Sequence, residues 1–356
     1  MLRLKGILEK HGEGQNKDAW KIGICESLLS GIVNQTTPIS ARSHKLISAY
    51  LESIGVDGEA ADWHLSEDKG VRMLQQDVLL KFRLGSDPFV NEIRDPDGDC
   101  YVTSETRWVE QRLHQIIDGK GFAALVGPTG AGKSTLMDRI TATKNNLAVA
   151  KPRMCDTEAL HAGAIYDALI YDFTKETPKR SREARARQMI RALEAKQEAG
   201  EHALLMVEEA HRLHGSTPRA LKSFYDEKLQ GRRLLSIVLV GQEPLAHKIG
   251  AMLEVKRRCQ VLTLHGLNRI VEGKMLPPTA TTIKAYLRKK FEHAGAGGAA
   301  VDVAEVFDEG AFEAIAKRVN VPLHLNCLAS AAMTVAWEQT AKGKPAIVTA
   351  EIVNVC

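Results

Sequence analysis

One nine-residue segment constrains the fold of this chain more than any other feature. Residues 127–135 read Gly-Pro-Thr-Gly-Ala-Gly-Lys-Ser-Thr and match the phosphate-binding loop pattern G-x-x-x-x-G-K-[ST] at every fixed position. Its glycines let the backbone curl with N–H groups pointing at phosphate oxygens. An apolar run at 122–126 precedes the loop, and a helical pattern at 135–140 continues from it. The sequence therefore predicts strand, loop and helix, with a nucleoside triphosphate at the helix N-terminus.

The positions of this loop predict which residues hold which part of the nucleotide. Lys133 is expected to reach the β- and γ-phosphates of ATP, and the Ser134 hydroxyl is expected to coordinate Mg²⁺. ATP and Mg²⁺ are thus the expected cofactors. The predicted nucleotide-binding set is Gly127, Pro128, Thr129, Gly130, Ala131, Gly132, Lys133, Ser134 and Thr135.

An acidic pair follows a second apolar run. Residues 203–207 read as a buried strand, and Glu208 and Glu209 come directly after it. In a phosphate-loop site the first acid holds Mg²⁺, usually through water, and the second polarises the attacking water. Glu208 is therefore predicted to join Ser134 as a metal residue, and Glu209 is predicted to be the catalytic base. Glu208 stands where Asp is usual, and its extra methylene bears more on hydrolysis than on binding.

A third apolar run, 236–240, leads into Gln242, whose amide is expected to orient the attacking water or contact the γ-phosphate. A helix is predicted over 245–256, ending in basic residues, and a strand over 260–264. A basic helix end is also what the helix dipole favours by itself. Apolar strand patterns and helical patterns alternate over 101–266, which is typical of a parallel α/β sheet.

This order of phosphate loop, acid pair, polar strand end and helix ending in arginine resembles the AAA+ ATPase family. The resemblance implies that an arginine there reaches the γ-phosphate bound by a neighbouring subunit, so that hydrolysis needs an oligomer. Arg258 is the better candidate by position, and Arg257 is the alternative. The family often has a second sensing arginine in a C-terminal helical lid. Leu323 occupies that position here, so this sensor is predicted to be absent or shifted to His324.

The predicted fold is α/β: a P-loop AAA+ αβα sandwich with a parallel sheet over 101–266 and a C-terminal helical lid over 267–356. A linker with one helix, at 71–81, is predicted over 58–100. A small all-α domain is predicted over 1–57.

Within that small domain, residues 15–32 have helix-turn-helix spacing, with small Ala19, turn-permitting Gly23 and apolar residues after it. The segment resembles the phage-repressor type. Its second helix would expose Ser27 and Ser30 but no Arg or Lys, so weak or non-specific DNA contact is expected. Contacts would be mostly to phosphates, through Lys17, Lys21, Arg42 and Lys45. A small helical domain used for protein contacts is the alternative.

A second basic stretch lies in the predicted ATPase core. Residues 175–191 hold seven Lys and Arg against two Glu, with a helix predicted from near Ser181. That excess suits counterion release from a DNA backbone, although charge runs are also common on solvated faces. The residues predicted to contact DNA are Lys179, Arg180, Arg182, Arg185 and Arg187.

Composition adds exclusions. No apolar run approaches the ~18 residues of a membrane span, the N-terminus lacks a signal-peptide pattern, and the six cysteines are scattered. A protein of the bacterial host cytoplasm is therefore expected, with no membrane partner. The net charge of +4 decides nothing about partners.

The combination of a repressor-like domain, a linker, one AAA+ module and a short helical tail resembles the B transposition proteins of Mu-like phages, which are similar to transposon target-selection ATPases. The resemblance implies an ATPase that oligomerises on duplex DNA with little sequence preference and delivers it to a transposase. The alternatives are a secretion-system-type AAA+ ATPase and a helix-turn-helix transcription regulator switched by ATP.

Overall fold

The computed structural model describes residues 73–89, 100–153, 160–229, 231–340 and 345–356. Before residue 73, it describes only the helical positions 17, 21, 22, 46, 47, 49–51 and 53. The chain divides into two compact units, Met1–Arg72 and Met73–Cys356. Lys17 and Lys21 are helical and exposed. The predicted readers Ser27 and Ser30, with most of the helix-turn-helix segment, lie outside the described residues.

The strands of the second unit form one parallel sheet and two small hairpins. The strands at residues 147–150, 202–207, 235–241, 122–126 and 259–263 lie side by side in that order, and all their pairings are parallel. Their carboxyl ends therefore share one edge of the sheet, where ligands of open α/β sheets bind. The nine strands of the described residues are β1 Phe122–Val126, β2 Leu147–Ala150, β3 His202–Val207, β4 Lys228–Leu229, β5 Arg232–Arg233, β6 Leu235–Gly241, β7 Cys259–Thr263, β8 Arg269–Val271 and β9 Lys274–Leu276.

Helices cover both faces of the sheet because its strands are apolar on both sides. Phe122 and Ala124 of β1 pack in one buried layer with the helices of residues 162–250. Ala123 and Leu125 pack in the opposite layer with the helices of residues 104–143. The α-helices of the described residues are α1 Gln76–Lys81, α2 Ser104–Asp118, α3 Lys133–Thr143, α4 Ala162–Thr174, α5 Arg182–Glu198, α6 Thr217–Asp226, α7 Glu243–Gly250, α8 Leu253–Lys256, α9 Ala280–Phe291, α10 Glu309–Arg318, α11 Pro322–Gln339 and α12 Ala350–Val355.

Two details differ from the sequence expectation. The helix predicted over 245–256 is divided into α7 and α8, because Met252 is extended (φ −112°, ψ 91°) after Gly250, a weak helix former. The segment after β7 is not purely helical. It begins with the β8–β9 hairpin, in which Glu272 (φ 49°) and Gly273 (φ 76°) form a tight turn with two positive φ angles.

Residues 73–89, placed in the linker by the sequence, pack against the C-terminal helices. The predicted helix begins at Gln76, and residues 73–75 before it are irregular. The Phe89 ring is fully buried and meets the Phe291 ring edge-on at 5.9 Å. No helix among these described segments has the length and apolar character needed to cross a bilayer.

Candidate functional site

The phosphate loop lies at the carboxyl end of β1, between Val126 and the start of α3 at Lys133. Gly130 (φ 75°) and Gly132 (φ 87°) are left-handed, a conformation that favours glycine. Gly127 is needed for a different reason: a Cβ there would lie 2.0 Å from the Leu264 carbonyl oxygen at the end of β7. The glycines predicted from the motif therefore each meet a local demand of the backbone.

Lys133 shows that this loop suits a phosphate group. Its Nζ donates to the carbonyl oxygens of Gly127 (2.9 Å) and Pro128 (2.7 Å). Burial lowers the pKa of the Lys133 ammonium, while the charge of Glu209 opposes that shift. No side chain caps the N-terminus of α3, so its first N–H groups are left for an anion. A half-buried cation beside an uncapped helix N-terminus fits the phosphates of a nucleotide.

The two acids after β3 have different surroundings. The Glu208 carboxylate lies 3.0 Å from Lys151 Nζ, which follows the neighbouring strand β2. Glu209 has a left-handed backbone (φ 48°, ψ 32°), which costs a non-glycine residue about 1–2 kcal/mol. Its side chain is half exposed, with His211 Nδ1 3.6 Å from its Oε2. Glu208 thus pairs with a lysine, whereas the neighbour of Glu209 is a histidine.

A cavity of about 430 Å³ gathers the predicted residues of this edge. The loop lines it from Thr129 to Thr135, and Glu208, Glu209 and Gln242 line it from the ends of β3 and β6. Ser134 lies in this lining. The structure therefore brings the loop, both acids and the Gln242 amide to one space.

The other wall of this cavity was not foreseen from the sequence. It comes from Tyr101, Tyr286, Lys290 and Asn326, which precede α2 or belong to α9 and α11. The buried Tyr286 hydroxyl donates to Asn326 Oδ1 at 3.0 Å, and burial raises the pKa of Tyr286, so the hydroxyl stays protonated. No motif marks these positions, because they are distant in sequence and meet only through folding.

Leu323 lies in the first turn of α11 and covers the phosphate loop. Its N–H donates to the Gly130 carbonyl at 3.3 Å, and a Cβ on Gly130 would lie 2.1 Å from the Leu323 Cβ. His324 is exposed and is not among the described residues lining the cavity. The cavity thus has leucine at the predicted sensor position, and the structure does not bring the alternative, His324, to it.

The candidate arginines lie away from the cavity of their own chain. Arg258 follows α8, and its Nε donates to Asp226 Oδ1 at the end of α6 (3.1 Å). Hydrogen bonding from Lys222 is the main cause that lowers the Asp226 pKa, with Arg258 contributing. Neither Arg257 nor Arg258 is among the described residues that line the cavity.

Two cations of the basic stretch at 175–191 form ion pairs with acidic residues. Arg185 lies 3.1 Å from Asp167 of α4, and Arg187 pairs with Glu183 within α5. Lys179, Arg180 and Arg182 are exposed. Ser181 is the N-cap residue of α5, as the sequence predicts, although its side chain makes no capping bond. Fewer cations of this stretch are therefore left for contact with DNA than the sequence suggests.

Comparisons with known proteins agree with this geometry. A family model described as an AAA domain matches residues 115–249, which run from the end of α2 into α7 and include the loop, the acids and Gln242. The predicted P-loop AAA+ fold is confirmed in this unit. No curated protein matches the chain significantly.

Several solved structures are similar at low identity. A RuvB mutant of Thermotoga maritima has a TM-score of 0.41 and 16% identity, over 74% of this chain and 72% of that chain. Cdc6p of Pyrobaculum aerophilum has a TM-score of 0.44 and 13% identity, over 75% and 66%. The Drosophila ORC bound to DNA has a TM-score of 0.46 and 12% identity, over 83% and 67%.

Proposed function

We propose that this chain is an ATPase that hydrolyses ATP to ADP and phosphate, as an oligomer on duplex DNA. One observation carries the proposal: the phosphate loop, the acid pair and Gln242 line a single cavity at the carboxyl edge of the sheet. A strand that merely ended in two solvated acids would not need Gln242 from β6 beside them.

The residues of the cavity have different roles in this proposed reaction. Lys133 exchanges its loop carbonyls for phosphate oxygens, and the α3 N-terminus holds their charge. Ser134 and Glu208 would hold Mg²⁺, which would supply positive charge against the phosphates. Glu209 orients and deprotonates the attacking water, and Gln242 orients that water or contacts the γ-phosphate.

Completion of the site by a second copy is part of the proposal. Arg258 lies outside the cavity of its own chain and is half exposed, so its guanidinium is available to a neighbouring copy. Asp226 holds it at the end of α8. Arg257, the adjacent residue, remains the alternative for this role.

Duplex DNA and a transposase are the proposed partners, and the bacterial host cytoplasm is the proposed location. Exposed Lys179, Arg180 and Arg182 supply cations for phosphates, with Lys17 and Lys21 of the first unit. The transposase rests on the resemblance to target-selection ATPases. Because phosphate contacts carry no sequence information, binding is expected to be largely indifferent to sequence.

Binding to random-sequence duplex tests this function. Fluorescence anisotropy and electron microscopy with ATP, with ADP and without nucleotide should show coating of the duplex only with ATP. Lys133→Ala should abolish this assembly, while Lys317→Ala, on the exposed side of α10, should not. Binding that ignores the nucleotide, or is confined to one sequence, would contradict the proposal and favour the ATP-switched regulator.

A further inference from the structure

The backbone that carries Glu209 is held in an uncommon conformation. Glu209 is left-handed at φ 48° and ψ 32°, and a short 3-10 turn, Ala210–Arg212, follows it directly. An L-residue keeps such a conformation only where the surrounding structure fixes it. The contacts that fix this turn therefore decide where the Glu209 carboxylate points.

Lys248 of α7 makes the strongest of these contacts. Its half-buried Nζ donates to the carbonyl oxygens of His211 (2.9 Å) and Leu213 (2.6 Å), within and directly after the turn. Hydrogen bonds from a charged donor are about twice as strong as neutral ones. Within the described part of the chain, no carboxylate forms an ion pair with Lys248. Both of its hydrogen bonds thus serve the backbone after Glu209.

The turn also lies close to the end of β6. A Cβ on Gly241 would lie 3.0 Å from the His211 backbone nitrogen. The next residue, Gln242, is the N-cap of α7, and its carbonyl accepts from Leu245 N–H at 2.9 Å. The helix that begins at Gln242 therefore also reaches, through Lys248, the turn that carries Glu209.

The electrostatics of the turn agree with this arrangement. Burial lowers the pKa of His211, the charge of Glu209 opposes the shift, and Arg212, Lys248 and Lys133 reinforce it. His211 is therefore held towards its neutral form and does not neutralise the Glu209 carboxylate as a permanent cation would.

We infer that Lys248 is a positioning residue that sets the Glu209 carboxylate by holding the two carbonyls of the following turn. The inference rests on the proposed role of Glu209 as catalytic base. Lys248 lies on a different element, 39 positions after Glu209, and is not among the described residues that line the cavity. Its loss should act on hydrolysis and leave nucleotide binding in place.

The test compares Lys248→Met, which keeps the length but removes the charge and the donors, with Lys248→Arg, which restores both. Lys317→Met on exposed α10 is the matched control. Because small displacements of a catalytic group cost up to about 100-fold, Lys248→Met should lower kcat about 10- to 100-fold. Its affinity for a fluorescent ATP analogue should stay within about 2-fold of wild type, and Lys248→Arg should recover part of kcat.

A double variant separates positioning from general damage. If Lys248 acts through Glu209, adding Lys248→Met to Glu209→Gln should lower kcat no further, since coupled residues are non-additive. The inference would be overturned if Lys248→Met lowered nucleotide affinity and melting temperature together with kcat. It would also be overturned if the kcat of Lys248→Met equalled that of the wild type. If Glu209→Gln hydrolyses ATP at the wild-type rate, the proposed role of Glu209 as catalytic base fails, whatever the kcat of Lys248→Met.

Discussion

At the scale of single residues, Gly127 is the least replaceable position of the phosphate loop. A Cβ there would meet the Leu264 carbonyl oxygen at 2.0 Å, and a backbone oxygen cannot rotate away like the end of a side chain. Gly127→Ala should therefore lower the free energy of unfolding by about 1–3 kcal/mol, the usual cost of overpacking. Urea unfolding followed by circular dichroism measures this change.

The matched control is Gly250→Ala in the last turn of α7, where a Cβ meets no atom within 4 Å and φ is not positive. That variant should be neutral or up to about 1 kcal/mol more stable, because alanine is the better helix former. Equal stabilities of the two variants would refute the steric argument.

The residues that sequence alone could identify are those whose neighbours are close in the chain. The loop 127–135 and the acids after β3 follow from local patterns, and the structure places them in one cavity. Tyr286, Asn326 and Lys248 could not be identified, because their contacts join segments that are far apart in sequence. The Asp226 partner of Arg258 was missed for the same reason.

At the scale of elements, α2 is fastened to the segment after β7 by a buried carboxylate. Glu105, in the first turn of α2, is fully buried and accepts hydrogen bonds from His265 N (2.9 Å) and Gly266 N (3.0 Å). His265 Nδ1 lies 3.0 Å from the same carboxylate. Since Gly266 also lines the cavity, this attachment fixes one of its walls.

Removal of that carboxylate should therefore be costly. Glu105→Ala leaves the buried N–H of Gly266 and the partly buried N–H of His265 without this acceptor, so the free energy of unfolding should fall by about 2–4 kcal/mol. Glu254→Ala is the control, because its pairing with Arg219 is exposed and should be worth no more than about 1 kcal/mol. A urea titration of both variants decides the point, and a smaller loss in Glu105→Ala than in Glu254→Ala would be evidence against it.

Element types were predictable where the pattern was long and buried. The continuous apolar runs of β1, β3 and β6 fit a parallel sheet with both faces covered. The β8–β9 hairpin has three residues in each strand, so its alternation was too short to stand out, and its Glu-Gly turn lacks the usual Asn or Asp. The break between α7 and α8 lies within a continuous helical pattern, after Gly250 and at the extended Met252.

At the scale of the whole molecule, the proposed oligomer would account for where the two candidate arginines lie. Among the described residues, the cavity is lined by both acids but by neither Arg257 nor Arg258, so in the proposed oligomer each copy would carry the base of its own site and supply the arginine of a neighbour's site. Such a head-to-tail contact closes into a ring or continues as a helical filament. Either arrangement makes hydrolysis a property of adjacent copies.

Mixing two inactive variants tests this relation directly. Glu209→Gln removes the base and Arg258→Ala removes the arginine, so each preparation alone should hydrolyse almost no ATP. In an equal mixture about a quarter of the sites join an intact Glu209 to a neighbour's Arg258, and these should regain activity. If Arg258 acts within its own chain, the mixture stays inactive. Repeating the experiment with Arg257→Ala shows which arginine acts across the interface. The variant that lacks this arginine is inactive alone and regains activity on mixing with Glu209→Gln.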